Sequence, residues 1–541
     1  MTHRITARPA RGGGAAPQVD GSADTVARFI EDAAHSPGGH AAGVAFPRTE
    51  ADVAALVRAH GAVLPVGAQS SLTGGATPTG DIVLSFARMN RVLDIGPDRV
   101  RVEPGLTLAS LQEALDPRGL YYPPVPTFTG ASIGGTIATN AAGAATFKYG
   151  STRAWVEALT VVLASGEAID LARGRVAAHR DGYFEIALQG GVVRVPVPGY
   201  RMPDVAKRSA GYHAEPGMDL VDLFVGSEGT LGVVTDATLR IVPRASASCT
   251  AYVPLASETE AFRLTAALRD AARVAWTSGG REGVDIPAIE YLDGRSLSLV
   301  PDRLLARAGL RRDSRRPVAL LVRLELPPDT TASQAFEQIA AADGRAASPL
   351  GRFCALLARY DAFDATEIAL PGEAARAARF DEVREAVPSA VNELVGLARR
   401  TVDPGVEKVA GDMIVPFEAL EAMVVAAREA FGRRGLDLAI WGHVSDGNLH
   451  PNLVPRSAVD VGAGKDAILE LGREVTRLGG CPLAEHGVGR SAVKQALLCQ
   501  LYGEAGVEEM RAVKRALDPG WKLARGVLFG KGKKGSGVFS P

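Results

Sequence analysis

Three glycine-rich stretches fall within the first 243 residues of this 541-residue chain, each beside strand-like text, and they restrict its fold more than any other feature. Glycine lacks the Cβ that would hold a ligand off the backbone, so repeated small-residue loops mark places where main chain can lie directly against a flat or charged group. The first stretch, PVGAQSSLTGGATP (65–78), sets Val66, Gly67, Ala68, Gln69, Ser70, Ser71, Thr73 and Gly74 in a run whose free N–H groups can hold a pyrophosphate. The second, TFTGASIGGTIATNAAGAATFKYG (127–150), supplies Ser132, Gly134, Gly135, Ala138, Thr139, Asn140 and Gly143, small residues interspersed with side-chain donors and suited to a planar cofactor. The third, GSEGTLGVVTDATLRIVP (226–243), carries Glu228, Gly229, Gly232, Val233 and Val234 into a strand. One such stretch alone reads as readily as an ordinary loop; three in one module point to a cradle.

Familiar nucleotide motifs are missing. No G-x-G-x-x-G lies between a strand and a helix, and no G-x-x-x-x-G-K-[ST] occurs, so neither a Rossmann site nor a P-loop is supported. Lys+Arg number 60 and Asp+Glu 61, a net charge of -1, which leaves no overall field for nucleic acid or anionic lipid. The four cysteines, Cys249, Cys354, Cys481 and Cys499, are scattered and form no CxxC pair, so neither a zinc ribbon nor an iron–sulfur run is present. No apolar stretch reaches the roughly 18 residues of a membrane span, and the N-terminus has no secretory apolar region. A reduced, cytoplasmic setting is expected.

At about 150 residues per domain the length accommodates two to four units. Residues 1–20 and the Lys- and Gly-rich tail 530–541 lack apolar periodicity and are expected to be flexible. In 21–243, TEADVAALVRAHG reads as a capped helix, AVLPVG and DIVLSF as strands and LTLASLQEALDPRG as a helix. DG and GG turn signals mark inserted hairpins at about 173–203. After Pro243 long Ala/Arg-rich helices alternate with strands such as RRPVALLVRLEL, which defines a second unit, 244–479. The last segment, 480–529, holds two helical patterns, SAVKQALLCQLY and VEEMRAVKRALDP.

A second constellation lies near the C-terminus. In IWGHVSDGNLHPNLVP (440–455) strand-like residues flank an SDGN turn, so the chain can double back and bring His443 and His450 together. CPLAEHGVGRSA adds Glu485 and His486 just before a helix. Either histidine alone is most simply a hydrogen-bonded core residue; two imidazoles plus a carboxylate match an open Zn, Mn or Fe site.

Together these segments resemble the FAD-binding module of the vanillyl-alcohol-oxidase/p-cresol-methylhydroxylase (PCMH) superfamily, and within it the D-lactate dehydrogenase, glycolate oxidase and D-2-hydroxyglutarate dehydrogenase branch, from about Phe46 to Phe529. The resemblance implies an α+β chain: a two-subdomain PCMH-type FAD-binding module, an α+β substrate (cap) domain, and a C-terminal helical segment that returns to the flavin. It assigns the first glycine stretch to the pyrophosphate, the second to the isoalloxazine and ribityl chain, and the third to closure over the cofactor, with KRSAGYH (207–213) resembling the family stretch that precedes it. Some members tether FAD through a histidine or cysteine near the first loop; residues 61–89 contain neither, so FAD is expected to be non-covalent.

By the same resemblance His443, His450 and Glu485 hold a divalent metal and His486 is the base. Arg384, in REAVP, binds the substrate carboxylate, for which a planar guanidinium is suited, and Lys408 and Asn452 are further polar substrate contacts. Ser445 stands where relatives usually have glycine. The implied reaction is oxidation of a small 2-hydroxy acid, D-lactate-like, to the 2-oxo acid, with hydride transfer to flavin N5. Expected partners are that acid and an electron acceptor, whether cytochrome, quinone or electron-transfer protein; a homodimer is admissible. Two alternatives share the fold: an alkyldihydroxyacetonephosphate-synthase-like transferase, whose branch is expected to carry adjacent histidines that are absent here, and a flavin-binding subunit of a glycolate oxidase-type complex.

Overall fold

The computed structural model describes residues 2–12, 17–341 and 348–530. The first unit is built on two sheets. A three-stranded parallel sheet has the order His40–Ala45, Thr79–Ser85, Val63–Val66. The apolar run of Val63–Val66 suits a strand covered on both faces. Helix Glu50–Ala59 packs nearby and begins at a capping box in which Thr49 accepts from the backbone of Asp52 and Asp52 reaches back to Thr49. A five-stranded antiparallel sheet runs Val92–Ile95, Arg99–Val102, Val233–Arg240, Val156–Val162, Ala168–Ala172.

The insertion forms one antiparallel hairpin, Tyr183–Leu188 with Gly191–Pro196. Its outer edge is closed by Arg4–Thr6, which pairs in parallel with Glu185–Ala187. This corrects the expectation of a flexible end for residues 2–12. Arg8 ion-pairs with Glu50 and Asp170, and those partners, far away in sequence, are invisible to local composition. The expected flexible tail, beyond Gly530, lies outside the described residues.

Val242–Pro243 still pairs with Leu120–Tyr121, while Ala247–Leu255 belongs to a seven-stranded antiparallel sheet. Its order is Glu367–Ala369, Ala247–Leu255, Val318–Leu326, Ala288–Leu292, Leu438–His443, Asn448–Leu453, Met413–Ile414. Helices Glu258–Ser278, Ala374–Thr401, Leu420–Gly432 and Ala458–Arg477 accompany it. Lys148 of the first unit joins the second by ion pairs of 2.7 Å to Asp285 and 2.5 Å to Glu325.

The two C-terminal helical patterns run on as Ala492–Leu517, bent where Gly503 takes a φ of 70°. The chain then stitches into the first unit: Val63 N donates to Lys522 O, Ala524 N donates to Val63 O, and Lys522 Nζ donates to Val57 O and Ala164 O.

Candidate active site

A cavity of about 940 Å³ opens between the units and is lined by all three glycine stretches together with the C-terminal histidine cluster. Val66, Gly67, Ala68, Gln69, Ser70, Ser71 and Thr73 line it from the first stretch, and Ser132, Gly134, Gly135, Ala138 and Thr139 from the second. Glu228, Gly229, Gly232, Val233 and Val234 complete this wall. Gly67 is forced by packing, because a Cβ there would sit 2.0 Å from Ser132 Oγ, the cap of helix Ile133–Thr139.

Three more residues expected in the cradle have evident structural roles. Gly74 turns the loop at φ +74°. Asn140 ends helix Ile133–Thr139 in the left-handed region, and its Oδ1 accepts from Arg153 N. A Cβ on Gly143 would meet Val125 O at 2.3 Å.

Hairpin Leu438–His443/Asn448–Leu453 presents the histidines. Register pairs His443 with Asn448 and Trp441 with His450, which puts both imidazoles on one side of the ladder with ring centroids 5.4 Å apart. Segment 484–491 crosses against them, held by Asp412, whose Oδ2 accepts from the backbone N–H of Glu485 and of His486 at 2.8 Å each. Three imidazole Nε2 atoms converge on Glu485 Oε1: His443 at 3.2 Å, His450 at 3.4 Å and His486 at 3.7 Å. His486 stacks on His450 at 5.1 Å between centroids. Donor atoms of Asp412, His450, Glu485 and His486 also lie within 4.8 Å of one another. Asp412 is the less available member of that set, since it already accepts two backbone N–H groups and Asn448 Nδ2.

Buried charges surround the cluster. Lys207, fully enclosed, lies 2.8 Å from Glu485 Oε2 and 3.1 Å from Asp446 Oδ2. Burial alone would raise the Glu485 carboxyl; the Lys207 ammonium and the His443 imidazole hold it well below the usual range. Burial depresses His450 to about 3, so its imidazole is neutral, and it also lowers His486. His443 behaves oppositely: burial works against its charge, but Glu290, 2.5 Å from Nδ1, lifts it to about 9.

Elsewhere on the cavity wall Arg384 donates from Nε to Glu290 and from Nη1 to Glu385, 2.8 Å each, and Nη2 has no partner among the described residues. Pro388, four residues on in the same helix, cannot supply the N–H that the Arg384 carbonyl would otherwise accept. Lys408 lines the cavity without an ion-pair partner among the described residues, and burial brings it down to about 8. Asn452 donates to His450 O, and its Oδ1 is buried and unpartnered.

Sequence reasoning overlooked Glu290, Asp412 and the role of Lys207. Glu290 carried a readable signal: one carboxylate inside the otherwise apolar strand AIEYL, where a buried charge needs partners. Glu228, expected at the cofactor, also clasps the C-terminal segment, its carboxylate accepting from Val488 N at 2.7 Å and Gly489 N at 2.8 Å. Gly489 presses on the first loop, for a Cβ there would meet Thr73 O at 2.3 Å.

Comparison with known proteins agrees with this architecture. Residues 41–172 match the FAD binding domain family and residues 261–528 the FAD linked oxidases, C-terminal domain family. The chain is 30% identical to glycolate oxidase subunit GlcD of Bacillus subtilis, over 87% of this chain and 84% of that protein. It is 29% identical to a D-2-hydroxyglutarate dehydrogenase of Xanthomonas citri pv. viticola, over 90% and 89%, and to a probable mitochondrial D-lactate dehydrogenase of Danio rerio, over 88% and 82%. Its fold also resembles a solved alkyldihydroxyacetonephosphate synthase, with a TM-score of 0.57 at 15% identity over 90% of this chain and 76% of the other; a likeness that remote concerns the fold alone. With both family domains in sequence and relatives matched along nearly their full length, the chain belongs to the FAD-linked oxidoreductases of the glycolate oxidase GlcD, D-lactate dehydrogenase and D-2-hydroxyglutarate dehydrogenase branch.

Proposed function

We propose that the protein oxidises a small 2-hydroxy acid, D-lactate-like, to the 2-oxo acid, using non-covalent FAD and a divalent metal of the Zn, Mn or Fe type. The observation that carries this reading is the convergence of His443, His450, Glu485 and His486 on the cavity that the glycine stretches line. The residues suit both groups. All three glycine stretches line the cavity, no cysteine or histidine occurs in residues 61–89 for a covalent link, and two imidazoles with one carboxylate are a donor set for a borderline cation. When bound, FAD supplies a two-electron acceptor and the cation supplies positive charge for a substrate oxygen.

Everything else falls to the chain. Arg384 offers Nη2 to the substrate carboxylate, and Lys408 adds an uncompensated ammonium on the same side. Asn452 gives one Nδ2 hydrogen to His450 O and keeps the second for a substrate oxygen. His486, kept neutral by burial and faced on Nδ1 by Asp412 at 3.4 Å, takes the hydroxyl proton on Nε2, and proton removal makes Cα a better hydride donor. Reoxidation requires an external acceptor, whether cytochrome, quinone or electron-transfer protein; no helix among the described residues is long and apolar enough to cross a membrane.

Purified holoprotein, yellow with flavin, tests the reading when mixed anaerobically with glycolate, D-lactate, L-lactate and D-2-hydroxyglutarate. Bleaching by at least one is expected. Full retention of colour with all of them, FAD being bound, would refute oxidation of a 2-hydroxy acid.

A further inference from the structure

Glu290 is absent from the cavity lining, yet it touches Arg384, the proposed contact of the substrate carboxylate, and His443, a proposed metal ligand. It sits in the middle of strand Ala288–Leu292, between Val318–Leu326 and the strand that ends at His443. Its side chain is 5% exposed, and both carboxylate oxygens are used: Oε2 accepts from Arg384 Nε at 2.8 Å and Oε1 lies 2.5 Å from His443 Nδ1. Each oxygen thus faces a nitrogen that can donate, and the carboxylate accepts on both sides.

We propose that Glu290 is a positioning residue that sets two elements of the substrate site at once, fixing His443 as the Nδ1–H tautomer with Nε2 turned toward Glu485, and fixing the plane of the Arg384 guanidinium so that Nη2 faces the cavity. An imidazole that ligates a metal through one nitrogen gains basicity and orientation when the other donates to a carboxylate. Arg384 gains likewise: with Nε on Glu290 and Nη1 on Glu385 the fork cannot rotate about its stem, and Nη2 is the edge left over. One carboxylate therefore ties metal affinity to carboxylate affinity. This role rests on the metal-assisted reading above.

Glu290→Gln keeps the volume and removes the charge, while Glu385→Gln disturbs Arg384 and leaves His443 untouched. Both holoproteins are titrated with Zn²⁺ against a chromogenic chelator, and D-lactate half-saturation is taken from anaerobic flavin bleaching. In E290Q the Zn²⁺ dissociation constant is expected to rise about 10- to 100-fold, the usual effect of losing a partner behind a metal ligand, and D-lactate half-saturation to rise with it. In E385Q only the D-lactate value should move. Equal Zn²⁺ affinity in E290Q and wild type overturns the role of Glu290 while the metal reading stands. Failure of the wild type to bind any of Zn²⁺, Mn²⁺ and Fe²⁺ refutes the metal reading and takes the role with it. Should E290Q not fold, ¹⁵N-histidine NMR of the Zn²⁺-loaded wild type decides: a hydrogen-bonded Nδ1–H on His443 supports the role, and an Nε2–H tautomer overturns it.

Discussion

Lys207 and Glu485 meet at 2.8 Å with neither side chain more than 8% exposed, an ion pair between the first unit and the segment that carries the histidine cluster. Removing one member of such a pair leaves a buried charge unmatched, which costs about 3–5 kcal/mol. Lys207→Met should therefore lower the unfolding free energy of the holoprotein by roughly that amount. Denaturant titration measures it, and a change of less than about 1 kcal/mol would mean that His443 and His450, 3.2 and 3.4 Å from Glu485 Oε1, match the carboxylate without the lysine.

Replacing His486 by alanine removes the proposed proton acceptor and leaves the glycine cradle intact. Anaerobic reduction of the flavin by substrate should slow by about 10²- to 10⁴-fold, the ordinary range for a general base, with bound FAD unchanged. Stopped-flow absorbance follows both, and undiminished reduction would exclude this histidine as the base.

Arg384→Lys retains a positive charge and loses the planar fork that Glu290 and Glu385 orient. A charged hydrogen bond is worth about 1.5–3 kcal/mol, so kcat/KM should drop by roughly 10- to 150-fold, mainly through KM. Steady-state rates with an artificial electron acceptor provide the split. A fall confined to kcat would contradict a binding role.

Lys408 loses its proton near pH 8, because burial disfavours the ammonium. Only the charged form attracts a carboxylate, so KM should be flat below about pH 8 and rise about tenfold per unit above it. Lys408→Arg, whose guanidinium keeps its proton, should flatten that rise. An unaltered alkaline limb in the variant would assign the titration elsewhere.

Gly67→Ala drives a methyl group into Ser132 Oγ, which a Cβ would approach to 2.0 Å. The loop must shift away from the cap of helix Ile133–Thr139, and FAD retention after gel filtration should fall well below wild type while the cap domain keeps its fold. Full retention would show that the loop has slack.

Local chemistry made much of this legible. Thr49 and its capping box, the apolar strand Val63–Val66 and the hairpin that presents His443 and His450 all follow from patterns a few residues long. What escaped depends on partners distant in sequence. Arg4–Thr6 looks loose until the hairpin at 183–196 offers it an edge. Glu290 reads as an anomaly until Arg384 and His443 arrive from 94 and 153 positions away. Asn140 and Gly143 also serve a helix end and a backbone crossing, roles set by Arg153 and Val125 that no local pattern displays.

Lys522 and Ala524 bracket Val63 by backbone hydrogen bonds, and Glu228 grips Val488 and Gly489. Ribosomal synthesis is directional, so the parallel sheet of the first unit waits for more than 400 further residues before its edge is finished. Assembly of this pocket is thus a closing event, and flavin captured earlier would find one wall only.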